Sequence, residues 1–323
     1  MDLYLIGYSG FDSRPLYKSS DASLLLFETL NKYLTYTNDF AFVNGIYSRL
    51  KSIIKSYAEG IDIDNNNIYL DDDYLIVSGT PNTQNTWMDA KYGDFCFTPR
   101  NGKAVEINAL WYNALKIMQE LSEKFEDKKT SKIYKEMAEN TKISFNNRFY
   151  NKRRKCLYDV IGDGKIRPNQ LFALSLSFPV VDPESEIAEN IMNTVDKKLL
   201  TNYGIRTLAK GEPNYVEVYE GDGFKRDASY HQGPVWPWLL GLYYNSLKNM
   251  IKETKEKEKK KELKEKLEKF CKTTEETFME ALYRDGVMGS IGEIYDTKEP
   301  FESKGTTSQA WSTSEVFRII LKK

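Results

Sequence analysis

Two acids in this sequence have neighbours that suit them to proton chemistry. Asp89 follows Trp87 and Met88, an apolar setting that disfavours the charged carboxylate and favours a protonated acid near neutral pH. Glu293 lies in the turn-rich run Gly289-Ser290-Ile291-Gly292-Glu293-Ile294-Tyr295-Asp296, with Asp296 three residues on as a rival for the same role. A protonated carboxyl and an ionised one can hydrolyse an acetal: the first protonates the leaving oxygen and the second activates water or attacks directly. Other chemistries have less support. His231 is the single histidine, so a histidine-rich metal site is impossible. Position 288 is methionine, so no G-x-S-x-G elbow surrounds Ser290. No glycine-rich phosphate cradle is present.

The elements that must position these acids can be read from periodicity and breakers. Helical patterns cover residues 21–37, 39–57 (ending at Gly60), 104–125, 131–148, 169–177, 183–200, the stretch after His231 that holds Trp236 and Trp238, the Glu/Lys-rich run 251–270, and 308–321. The opening to Ser20 reads as extended, with Gly7, Gly10 and Pro15 as breakers. Between Ile61 and Ser78 the period shifts towards two, with Asn65, Asn66 and Asn67 as turn residues, which predicts a hairpin. The alternation of Asp62, Asp64 and Asn66 resembles a calcium loop, but the bend glycine and the closing glutamate are missing, so a hydrated hairpin tip is expected. Residues 202–230 read as one long polar loop. The sum is nine helices, one hairpin and polar motifs in loops or at helix starts, an all-α body of antiparallel helix pairs about a common axis.

Composition sets limits on partners. With 323 residues and a net charge of -1, the chain lacks the basic excess of a nucleic-acid binder. No apolar run reaches the roughly 18 residues of a membrane span, and the start lacks a signal-peptide pattern. Three cysteines, Cys96, Cys156 and Cys271, have no metal spacing and suit a reducing compartment, which points to the cytoplasm. The 5 tryptophans include Trp87, Trp236 and Trp311 inside polar motifs, where flat faces can stack on sugar rings.

Six motifs together carry a resemblance. The stretch Thr86–Leu115 (TWMDAKYGDFCFTPRNGKAVEINALWYNAL) is similar to the signature of the amylo-α-1,6-glucosidase domain of glycogen debranching enzymes. R-P-N-Q (167–170), G-I-R-T-L (204–208), Y-H-Q-G-P-V-W-P-W (230–238), G-S-I-G-E-I-Y-D (289–296) and S-Q-A-W-S-T-S-E (308–315) resemble that family in the same order. The resemblance implies one glucosidase domain over residues 1–323, an (α/α)6 toroid with its first helices absent and a small hairpin, and no cofactor or metal. Nothing before Asp21 resembles the family's earlier helices. A ring lacking them should expose apolar faces, including Leu24, Leu25 and Phe27, to an upstream chain or to self-association. The implied activity is inverting hydrolysis of α-1,6-linked glucose in branched α-glucans, with Asp89 as general acid and Glu293 as general base. Candidate sugar contacts are Trp87, Arg100, Lys103, Glu106, Asn108, Asn169, Gln170, Arg206, His231, Gln232, Trp236, Gln309 and Trp311. The alternatives are a non-catalytic glucan-binding remnant, or a subunit active only with an upstream partner.

Overall fold

The computed structural model describes residues 17–322, so the reading of residues 1–16 as extended lies outside the described part. The described chain is mostly helical, with ten α-helices and several small antiparallel sheets. It divides into two compact units. Of the described residues, the first comprises 17–150, 159–163 and 176–180, the second 151–158, 164–175 and 181–322.

The first unit holds α1 (Ala22–Thr37), α2 (Phe40–Glu59), α3 (Val105–Lys124) and α4 (Lys128–Phe149). Boundaries follow caps. Asp39 accepts the Phe42 amide at the start of α2, Gly60 closes it with φ +64°, and Asp127 accepts the Thr130 amide at the start of α4. Asp21 precedes α1 without capping it; its carboxylate accepts Ser19 Oγ at 2.6 Å instead. α3 packs against α1, α2 and α4 and is buried on nearly every face. Burial of each large apolar side chain there contributes about 1.5–3 kcal/mol.

A helix enclosed this way must satisfy its polar residues internally, and α3 largely does, the buried Trp111 indole N–H being an exception. Asn113 donates to Glu28 and accepts the Phe178 amide, and Ser122 bonds Tyr47 and Met118 O. Leu24 and Phe27 are fully buried, against the expectation that they would be exposed. They lie on the face of α1 turned to α3, and of the three only Leu25 reaches solvent.

The predicted hairpin exists, but its tip is displaced. Tyr69–Leu70 pairs with Ile76–Val77, and the turn is Asp71–Tyr74, with Tyr74 at φ +64°. Asn65 and Asn67 also take positive φ but lie in a preceding loop. There the Asp62 carboxylate accepts the Ile68 amide and Asp64 accepts the Tyr17 amide, so these acids hold backbone.

In the second unit α5 (Phe172–Ser175) is a single turn after a 3-10 turn over Pro168–Leu171, followed by α6 (Glu186–Lys198). Ser185 caps α6, which moves its start past Pro183. An unexpected helix, α7 (Gly223–Tyr230), sits in the supposed long loop, begun by Asp222 accepting the Lys225 amide at 2.9 Å. α8 (Leu239–Glu253), α9 (Lys257–Arg284) and α10 (Ala310–Ile320) pack on one another. The Glu/Lys-rich start of α9 is largely solvated, and its buried residues begin at Cys271.

The principal departure from an all-α fold is a five-stranded antiparallel sheet. It is built from Leu200–Thr201, Gly204–Arg206, Val235–Trp236, Ile294–Tyr295 and Ser303–Lys304, paired in that order. Trp236 is therefore in a strand, and Trp238 only precedes α8. Pro237 explains this, since the residue before a proline is pushed to extended backbone.

Candidate active site

Asp89 sits in a loop of the first unit that is tied at both ends. On one side Asn85 O accepts the Ser20 amide at 2.8 Å. On the other, Thr98 Oγ1 donates to Met88 O at 2.9 Å, and a tight hairpin pairs Lys91–Tyr92 with Phe95–Cys96. Met88 and Ala90 are buried, while Asp89 between them is exposed. This corrects the expected apolar setting: Met88 faces the core, away from Asp89, and Trp87 is half-buried.

Four expected sugar contacts in this unit do structural work instead. Arg100, buried and at φ +44°, reaches Asp159 through Nε (2.6 Å) and Nη2 (3.1 Å). It reaches Glu106 through Nη1 and Nη2, and Thr86 Oγ1 at 3.1 Å. Burial works against the guanidinium charge, but Asp159 and Glu106 together hold it firmly protonated. Burial pushes the Glu106 carboxyl up, against the pull of Arg100. The Thr86 bond closes the loop that carries Asp89.

Asn108 Oδ1 accepts the Ile76 amide at 2.7 Å while its Nδ2 donates to Ile76 O at 3.1 Å, so the side chain acts as a substitute strand. Lys103 Nζ bridges Asp71 (2.6 Å) and Asp73 (2.7 Å) at the hairpin turn. Each of these groups is thus bonded to protein in this structure.

Glu293 lies in the second unit at the entry to its strand. Its Oε2 accepts the Thr306 amide at 3.0 Å and its Oε1 accepts Gln309 Nε2 at 3.1 Å. No lysine or arginine among the described residues lies within ion-pair distance of it. Gly305 (φ +70°) borders the carboxylate, and a Cβ there would overlap Oε2. Asp296, the rival, differs: it accepts the Tyr219 amide at 2.8 Å and has Lys304 Nζ at 3.9 Å. Burial pushes the Asp296 carboxyl up. Its neighbour Thr297 donates its amide to Glu217 O at 2.9 Å, so this acid pins the segment around Tyr219.

Beside these lies a buried polar and aromatic cluster. Arg167 donates to Thr207 O (3.0 Å), His231 O (2.6 Å) and Gln232 Oε1 (2.7 Å), joining three of the sequence motifs. Gly233 lets the turn close: at φ +153°, any Cβ would strike Val216 O. Gln170 bonds Arg167 O at 3.0 Å and Asn169 is fully buried.

The His231 ring stacks on Trp236 at 5.2 Å. Trp238 stacks on Trp311 at 4.8 Å, and Trp311 keeps 38% of its surface open. Arg206 is half-buried on the strand beside Val235. Arg167 and Gly305 are the site-shaping residues that sequence reasoning did not single out. Arg167 was visible inside R-P-N-Q, whereas nothing near Gly305 marked it.

A profile of the amylo-alpha-1,6-glucosidase family matches residues 8–318. The chain belongs to the amylo-α-1,6-glucosidase family. The family match begins ahead of Asp21, where no resemblance was expected. A glycogen debranching enzyme of Saccharomyces cerevisiae is 29% identical over 214 residues, covering 52% of this chain and 14% of the yeast protein. The chain thus spans a small part of that relative. Among solved structures, a sialidase superposes with TM-score 0.64 at 13% identity, over 94% of this chain and 26% of the sialidase chain. That likeness concerns the fold alone. Among the described residues no helix is long and apolar enough to cross a membrane. Cys96, Cys156 and Cys271 are buried free thiols, each pushed up by burial and so poorly reactive.

Proposed function

We propose that this amylo-α-1,6-glucosidase family member hydrolyses α-1,6-linked glucose at branch points of glycogen-like α-glucans. Asp89 protonates the leaving oxygen and Glu293 takes a proton from the attacking water, with inversion at the anomeric carbon. The observation that carries the reading is the state of Glu293. It is a carboxylate held by two neutral donors, with no cation among the described residues within ion-pair distance. Such donors leave lone pairs on the carboxylate for a water.

Asp89 is exposed, so its acid role requires the glucan itself to cover it and exclude water, which disfavours its charge. Trp311, with its open face, and Trp87 serve as stacking surfaces, and Arg206, His231 and Gln232 border the Glu293 side. The (α/α)6 toroid and a single glucosidase domain over residues 1–323 belong to the same proposal. So do a cytoplasmic location and completion by an upstream chain or a second copy.

The test is incubation of the full chain with a branched limit dextrin. Release of free glucose supports the reading. Binding of the dextrin without release turns it to the glucan-binding alternative.

A further inference from the structure

We propose that Gln309 is a positioning residue: with the Thr306 amide and the bare backbone of Gly305, it forms a cradle that orients the Glu293 carboxylate. This rests on the reading of Glu293 as the base and displaces the expectation that Gln309 contacts sugar.

The cradle is built by backbone pairing. Glu293 N–H donates to Thr306 O at 2.9 Å and Gln309 N–H donates to Ile291 O at 2.9 Å. The two segments are thereby held antiparallel, in continuation of the pairing between Ile294–Tyr295 and Ser303–Lys304. Hydroxyl contacts reinforce the join, with Ser290 Oγ 2.6 Å from Ser308 Oγ and 3.3 Å from Thr313 Oγ1.

Gln309 occupies the cap position before α10 in extended conformation, where a short polar side chain would ordinarily bond the first turn. It makes no cap bond; its amide is given to Glu293 Oε1. Each carboxylate oxygen therefore has one protein donor, which fixes the plane of the group. Gly305 supplies the space, since a side chain at that position would collide with Oε2. Both donors are neutral, so orientation is set without an ion pair that would weaken the base.

The test uses the full chain labelled with carboxyl-13C glutamate. The Glu293 resonance is assigned by its loss in Glu293→Gln. Gln309→Met keeps the length and removes the donor. The Glu293 carboxyl resonance should move in Gln309→Met, because one carboxylate oxygen loses its donor, and in Gln309→Glu, where a carboxylate replaces that donor. In turnover, Gln309→Met should lose about tenfold in kcat with KM nearly unchanged. Gly305→Ala supplies an independent arm and should also move the resonance.

An unmoved Glu293 resonance in both Gln309→Met and Gly305→Ala overturns the cradle. So does a Gln309→Met variant whose KM rises while kcat holds, which is the signature of a sugar contact. Full turnover in Glu293→Gln would instead refute the base assignment, and the carboxyl resonance would still decide the cradle.

Discussion

Replacing Arg100 by methionine removes the guanidinium that pairs with both Glu106 and Asp159, whose side chains are 0% and 1% exposed. The volume is roughly kept, so the loss is electrostatic. Two forked contacts disappear, together with the Thr86 bond that closes the Asp89 loop. Removing one partner of a buried pair costs about 3–5 kcal/mol. A loss within that range is expected at pH 7.

The cost should depend on pH with a definite sign. Without Arg100 the burial that raises the Glu106 carboxyl acts unopposed, so its folded-state pKa lies further above its unfolded value near 4. Stability is then lost as pH rises through the window between those values, and the deficit relative to wild type shrinks as pH falls. Urea unfolding of both proteins at pH 7 and pH 4.5, followed by far-UV circular dichroism, measures this. A variant as stable as wild type at pH 7, or a deficit that widens on acidification, would refute the cluster's structural role.

Asp296→Asn gives a second pH signature. Burial raises the carboxyl in the folded state, so the native chain gives up stability as pH climbs from the unfolded carboxyl range through the raised folded value. The amide should flatten that slope in thermal melts across the same window, and a slope unchanged by the substitution would contradict the assignment. Gly233→Ala should destabilise by about 2 kcal/mol or more, because φ +153° and the Val216 carbonyl leave no place for a methyl. Differential scanning calorimetry that finds no loss would show that the turn can relax.

Much of the helical framework was legible because its signals are local. α2 has Asp39 and Gly60 at its ends, and α3 carries a long apolar pattern, so both were placed to within two residues. The five-stranded sheet was not, since strands of two or three residues are too short to show alternation and depend on distant partners. α7 hid behind glycines, its Asp222 cap being the one signal that pointed to it.

At the site, the motifs identified which segments matter but not which way side chains turn. Arg100, Lys103 and Asn108 read as ligand groups and contact Asp159, Asp71, Asp73 and Ile76, while Glu106 contacts Arg100. Those four partners lie 30 or more positions from the groups they contact, which is why spacing alone did not mark them.

The central claim, that Asp89 and Glu293 are the acid and base of a glucosidase, is met most directly by one measurement. Full-length wild-type, Asp89→Asn, Glu293→Gln and Glu315→Gln proteins are given a branched limit dextrin, and the anomer of newly released glucose is followed by proton NMR. Glu315 pairs with Arg318 on α10 and serves as the control. The account predicts β-glucose from wild type and from Glu315→Gln, and losses of roughly 10²–10⁴ in both Asp89→Asn and Glu293→Gln. Release of α-glucose, an active Asp89→Asn, or equal damage from Glu315→Gln would contradict it.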